Sequence, residues 1–264
     1  MNSISVVMPI KNRFELAKIA LLSVVNQTLK PNQVVLVDDG SDVRVLEVLA
    51  TEISFARSQG IIVDVLENNI SNGVSASRNM AIKYATGQFI AFCDSDDYWI
   101  PHKLEFVMSL VEKYRANIVV HSFVWIVGKH WFFKLLIDGA VFFVPRALLA
   151  LIFFLHVSAC VISKACIMDG FKAGLSFHED LDFFLKISEK TKLLFVNYPC
   201  VYMGRSPGSA GGLTENRIKM IEGAINVLEN AKGIGLFRLC IRAKLVYLRL
   251  KYFLICRNID HILE

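Results

Sequence analysis

Short apolar runs alternate with amphipathic stretches through the first 123 residues. Residues 4–8 form an apolar run stopped by Pro9. Residues 14–26 then carry Leu16, Ile19, Ala20 and Val24 at helical spacing. A second run at 33–37 closes on Asp38, Asp39, Gly40 and Ser41, and Asp42 is placed to cap a helix through residue 56. A third run covers 61–66, Asn72 and Gly73 break the chain, and residues 74–84 predict a helix closed by Gly87. The run Phe89-Ile-Ala-Phe-Cys93 ends abruptly in Asp94, Asp96 and Asp97. Pro101 opens a helix over 102–114, and 118–123 return to a strand pattern. Strands alternating with helices of about 10–15 residues predict β-α-β units. The fold class is therefore α/β: a Rossmann-like, mostly parallel central sheet flanked by helices.

After residue 124 the rhythm changes. Residues 147–163 carry no charge over 17 positions, near the short limit of a membrane span. His156, Ser158 and Pro145 interrupt the stretch and favour a buried helix over 147–154 leading into a strand over 157–162. Glu179, Asp180 and Asp182 head a helix whose apolar side is Leu181, Phe184, Leu185 and Ile187; acids there suit a helix dipole as well as a site. Residues 193–196 predict a strand and 202–212 a Gly/Ser/Pro loop.

Residues 236–255 predict a helix with Arg238, Arg242 and Arg249 on one side and Lys244 and Lys251 on another. Between them lie Leu239, Ala243, Val246, Leu250, Phe253 and Leu254. Such a face predicts a helix lying on an anionic membrane surface, in place of an ordinary terminal helix packed on the core. Insertion of this helix, or of 147–163, stays open at the level of sequence. The chain thus divides into an α/β half (1–123), a second half of the same domain (124–212) and a C-terminal helical, basic extension (213–264).

Composition changes this picture in three places. Hydrophobic residues make up 54% of the 264 and mean hydropathy is +0.47, which excludes disorder. Net charge is +5, but seven of the 29 basic residues fall between Ala231 and Arg257 with no acid among them, so the remainder is slightly acidic. Those bases alternate with Leu and Val rather than polar groups, which argues against nucleic-acid binding. The six cysteines show no C-x-x-C spacing and predict reduced core residues of a cytosolic protein, neither zinc ligands nor disulfides. The first residues lack a basic segment and are cut by Pro9, Lys11 and Arg13, unlike a secretory signal. The first strand is not followed by G-x-G-x-x-G, against a dinucleotide-dependent oxidoreductase.

Asp94, Asp96 and Asp97 at the end of a buried strand repel one another and desolvate badly, so they need a cation or solvent. A divalent ion such as Mn²⁺ or Mg²⁺ takes oxygen ligands and keeps room for substrate phosphates. The carboxyl end of an open α/β sheet is where ligands bind. A solvated Asp-rich turn would have the same pattern.

Three stretches now combine: Val6-Val-Met-Pro-Ile-Lys-Asn12, Val35-Leu-Val-Asp-Asp-Gly-Ser41 and Phe92-Cys-Asp-Ser-Asp-Asp97. With Asn26-Gln-Thr28, Asn72-Gly-Val-Ser-Ala-Ser-Arg-Asn79 and Glu179-Asp180, their order and spacing resemble family 2 glycosyltransferases, inverting enzymes with a GT-A fold. The resemblance covers about residues 3 to 210. It implies a nucleotide-diphosphate sugar donor, a UDP sugar by preference, bound by Pro9, Asp39, Arg78, Asp94 and Asp96. It implies a divalent metal on Asp94 and Asp96, assisted by Asp97, and Asp180 as general base. Trp99, His178, Glu179 and Arg205 would flank the acceptor. Family members often carry a His before a late Pro-Gly-Ser; here Ser206 stands at that place and Arg205 precedes it. With the basic tail, the resemblance implies a polyprenyl-diphosphate-linked or glycan acceptor. It also implies a cytoplasmic enzyme peripheral at the inner face of the cell membrane. The other class consistent with the sequence is a non-catalytic nucleotide-sugar-binding or membrane-associated interaction protein of the same fold.

Overall fold

The structure is a computed structural model describing residues 2–125, 137–151, 155–175, 177–204 and 216–263. The chain runs β1 (Ile4–Ile10), α1 (Phe14–Val25), β2 (Gln33–Asp38), α2 (Val45–Val48), α3 (Ala50–Ser58), β3 (Ile62–Glu67), α4 (Val74–Tyr84), β4 (Phe89–Phe92), β5 (Asp97–Trp99), α5 (Lys103–Tyr114), β6 (Ile118–His121) and β7 (Val124–Trp125). It continues through β8 (Val141–Val144), α6 (Arg146–Leu151), β9 (Cys160–Ser163), α7 (Glu179–Ile187), β10 (Leu193–Val196), β11 (Val201–Met203), α8 (Arg217–Asn230) and α9 (Gly235–Leu263).

The main sheet has the order β3-β2-β1-β4-β9-β6-β10-β8. Neighbours β3, β2, β1 and β4 are parallel, as are β6 and β10, while β9 and β8 run against their neighbours. β1 and β2 are buried at every position, which is why they are continuous apolar runs rather than alternating ones. β3, at the sheet edge, is only partly buried. A small second sheet, β5-β11-β7, sits beyond the end of β4. In it Asp97 to Trp99 pair antiparallel with Val201 to Met203.

Four local expectations are corrected. Asp42 does not cap a helix: α2 begins at Val45, and the buried Asp38 Oδ2 accepts from the Val45 N–H at 3.1 Å. The helix expected through residue 56 is broken at Leu49. The expected strand over 157–162 opens with a 3₁₀ turn, Val157–Ala159, in which the His156 ring accepts from the Ser158 N–H. The expected loop at 202–212 begins inside β11; three residues are too few to show a period of two. Residues 152–154 of the expected buried helix lie outside the described residues.

α9 packs on α6 and α8 through Phe237, Ile241 and Leu248, with the Arg146 guanidinium 3.9 Å from the Phe237 ring centroid. Its opposite side leaves Leu239, Val246 and Leu250 each about 60% exposed. Among the described residues no helix is long and apolar enough to cross a membrane.

Gly87 marks the tightest approach at the start of the parallel sheet. A Cβ there would lie 2.5 Å from the Ser5 nitrogen and 2.8 Å from the Ile4 carbonyl carbon, while the Gly87 N–H donates to Ser5 Oγ. Gly87→Ala is expected to cost about 1–3 kcal/mol by overpacking, read as a lower urea midpoint. An unchanged midpoint would show that β1 yields freely here.

Candidate active site

The chain passes from β1 to β2 and β3 on one side, then crosses to β4 on the other. This reversal opens a crevice at the carboxyl ends of β1, β2 and β4, where open α/β sheets bind ligands. A cavity of about 540 Å³ fills it. Pro9, Asp39, Arg78, Asp94, Asp96, Asp97, His178, Glu179 and Asp180 all line this one cavity.

Asp39, one residue past β2, is 5% exposed. Its carboxylate accepts from Ser71 Oγ (2.7 Å), Ser77 Oγ (2.9 Å), Asn68 Nδ2 (3.2 Å) and the N–H groups of Asn72 (2.9 Å) and Gly73 (3.1 Å). Burial pushes its pKa up, but these donors outweigh burial and hold it below the usual value. The ionised Asp39 thus pins the turn before α4 against the end of β2.

The acidic turn after β4 is divided by its partners. The Asp94 N–H donates to Ser158 Oγ at 2.8 Å, and Asp94 Oδ1 takes Arg78 Nη2 at 2.7 Å. Burial opposes ionisation of Asp94, yet Arg78 and His156 hold its pKa down. Asp96 Oδ2 lies 3.0 Å from Arg13 Nη1, beyond the end of β1. Asp97 is 4% exposed; its Oδ1 accepts from the Gly204 N–H at 3.3 Å, and its Oδ2 has no hydrogen-bond partner among the described residues. Burial pushes the Asp97 carboxyl up to about 7.

Asp94, Asp97 and His156 bring one ligand atom each within 4.8 Å of one another. Two carboxylates, one with an orphaned buried oxygen, beside an imidazole make a donor set that fits a divalent cation such as Mn²⁺. Asp96 lines the same cavity but is drawn toward Arg13 and stands outside that close group.

Across the cavity, α7 presents its first residues. Arg78, 4% exposed, reaches Asp94 on one side and Glu179 Oε1 at 3.3 Å on the other. Burial works against its charge, but the carboxylates dominate and raise its pKa. Glu179 is pushed up by burial and by Asp180. Asp180 Oδ1 accepts its neighbour's N–H, from Leu181, at 2.8 Å, and burial pushes the carboxyl up to about 6. His178 precedes α7 in the left-handed region, φ 58°, and burial lowers its pKa.

Trp99 does not join this group. It is 0% exposed in β5 and its ring lies under the Lys103 ammonium at 3.5 Å. Strand alternation turns Asp97 and Trp99 inward and Tyr98 outward. Arg205 and Ser206 lie outside the described residues. The sequence reading missed His156 and Arg13. His156 was visible only as a polar interruption in an uncharged run, and no spacing tied it to acids some 60 positions earlier.

The fold is the GT-A arrangement. Two solved structures share the fold. S. aureus TarS 1–349 in complex with UDP-GlcNAc has TM-score 0.73 at 18% identity, over 95% of this chain and 73% of that one. The mannosyltransferase PcManGT from Pyrobaculum calidifontis, in complex with GDP-Man and Mn²⁺, has TM-score 0.71 at 17% identity, over 94% and 70%. The model for "Glycosyl transferase family 2" matches residues 5–171, and the chain belongs to that family. Over 121 residues it is 38% identical to the Escherichia coli UDP-Glc:alpha-D-GlcNAc-diphosphoundecaprenol beta-1,3-glucosyltransferase WfgD, covering 46% of this chain and 45% of WfgD. Over 123 residues it is 32% identical to the putative colanic acid biosynthesis glycosyl transferase WcaA of E. coli K12, covering 46% and 41%. The match spans less than half the length of each of these curated relatives.

Arg78→Met would leave Asp94 and Glu179 without their shared buried cation. The expected cost is about 3–5 kcal/mol, measured by urea unfolding of the protein without added metal. Unfolding unchanged from the native protein would show that the ion pairs carry no structural weight.

Proposed function

We propose that the protein is an inverting glycosyltransferase moving a sugar from a UDP-linked donor to a hydroxyl of a lipid-linked acceptor, with Asp180 as general base. The carrying observation is that Asp180 opens into the same cavity as the Asp94–Asp97 turn, with Arg78 bridging the two acid groups. The ligands named in TarS and the substrate named in WfgD support a UDP sugar and a diphosphate-linked acceptor.

The residues divide the work. Asp39 and the turn it holds would receive the base of the nucleotide, beside Pro9. Arg78 and Arg13 bring positive charge to the region where the diphosphate leaves. A divalent cation held by Asp94, Asp97 and His156, with Asp96 beside them, would supply Lewis-acid stabilisation of that leaving group. Asp180, ionised above about pH 6, accepts the proton of the attacking hydroxyl as it bonds to the anomeric carbon. One displacement with one base inverts that carbon, and the cavity requires no enzyme nucleophile.

The exposed Leu239, Val246 and Leu250 of α9, flanked by Arg238, Arg242 and Arg249, suit a peripheral seat on an anionic bilayer. Such a seat at the inner face of the cell membrane would bring the cavity to a lipid-linked acceptor.

Asp180→Asn is expected to lower kcat by about a hundredfold or more, with UDP binding retained. In the native enzyme kcat should fall as pH drops below about 6. Because folding raises this carboxyl's pKa, its effect on stability also has a sign. Stability should fall as pH rises from the ordinary carboxylate range to about 6, and Asp180→Asn should make that slope shallower, leaving the share due to Asp97. Native-like kcat in the variant would sink the base assignment.

Asp96→Ala should abolish transfer while leaving the circular dichroism spectrum unchanged. Full activity would remove Asp96 from the donor site. Binding of UDP with Mn²⁺ by the native protein, without transfer to any acceptor tried, would favour a non-catalytic binder.

A further inference from the structure

The far end of the cavity is built in layers. Phe177, His178 and Met220 line it. α8 presses against it so closely that a Cβ on Gly223 would lie 2.7 Å from the Phe177 Cβ. α9 packs in turn on α8. Lys244 of α9 is half-buried and within electrostatic reach of His178. Among the described residues no acid forms an ion pair with Lys244. Its charged neighbour along α9 is Lys251, which adds to burial in pushing the Lys244 ammonium below its ordinary value.

Residues seven apart share one side of a helix. Between the two lysines stands Tyr247, 54% exposed, with Lys244 Nζ 5.1 Å from its ring centroid. The opposite flank differs: Arg249 pairs with Glu229 at 2.6 Å, and Arg238 donates to the Ala231 carbonyl at 3.2 Å. A half-buried ammonium beside a like charge, with no ion-paired acid among the described residues, is unfavourable until an anion arrives. Past Tyr247, roughly a third of a turn further round the helix, runs the exposed strip of Leu239, Val246 and Leu250.

We infer that Lys244 and Lys251 form the subsite for the diphosphate of a lipid-linked acceptor. The lipid leaves along the Leu239–Val246–Leu250 strip, and the sugar enters the cavity past His178. The inference rests on the lipid-linked acceptor proposed above. Compact ammonium groups suit phosphate oxygens, and a diphosphate offers charge to both. The subsite would make the diphosphate, rather than the acceptor sugar alone, a determinant of acceptor choice.

The test uses the full chain saturated with UDP and Mn²⁺, so that the donor's diphosphate site is filled. Calorimetry then compares farnesyl diphosphate with farnesol. The native protein should prefer the diphosphate, and Lys244→Ala with Lys251→Ala should weaken its binding by about tenfold or more, with UDP affinity unchanged. Equal binding of the diphosphate by native and variant protein would overturn the inference, as would equal binding of farnesol and diphosphate by the native protein. Phosphatidylglycerol vesicles should be bound alike by native and variant protein; parallel loss of vesicle and diphosphate binding would assign the lysines to bilayer headgroups and overturn the subsite. Transfer by the native enzyme to a diphosphate-linked lipid sugar checks the function separately. Its absence with lysine-dependent diphosphate binding would overturn the acceptor role and leave an anion site. Its presence with lysine-independent binding would overturn the subsite and leave the function.

Discussion

A buried guanidinium between two groups of carboxylates organises this molecule. Asp94, Asp96, Asp97, Glu179 and Asp180 converge on one cavity from segments far apart in the chain. Their mutual repulsion, in a setting that also desolvates them, would push the segments apart. Arg78 ties Asp94 to Glu179, and Arg13 ties Asp96 to the loop after β1. Burial still prevails at two of the acids, holding Asp97 at about 7 and Asp180 at about 6.

The core reinforces the arrangement from below. Lys103 is 0% exposed, donates to the Ser158 carbonyl at 2.5 Å and lies on the Trp99 ring. Ser158 in turn holds the Asp94 N–H through its hydroxyl. Burial lowers the Lys103 ammonium to about 8, so it remains largely charged at neutral pH and faces the acidic turn from the protein side. The turn is therefore braced by a buried cation and two arginines.

The C-terminal helices extend the same logic outward. α8 closes the wall behind Phe177 and His178, and α9 covers α8 while keeping an apolar strip in the open. A helix can satisfy both roles because its faces are separated by rotation: Phe237, Ile241 and Leu248 point inward and Leu239, Val246 and Leu250 outward. The site and the surface are thus two sides of one packed layer.

Much of this was legible in the residues. The uninterrupted apolar runs that became β1, β2 and β4 announced strands covered on both faces, and acids at their ends announced the open edge of a parallel sheet. The alternation of Arg, Lys and Leu in the tail announced a helix with an exposed apolar face, but not the second side, Phe237, Ile241 and Leu248, that packs on α6 and α8. These features depend on period and local composition, which a chain carries wherever it goes. Tertiary structure alone decided the pairings. Asp38, not Asp42, meets the start of α2; Trp99 turns inward because Asp97 and Trp99 share one face of β5; His156 comes from an apolar stretch to stand beside Asp94 and Asp97. The first two depend on where α2 and β5 begin, which local pattern left open; the third joins residues tens of positions apart, which no periodicity encodes, because it exists only once the sheet has chosen its order.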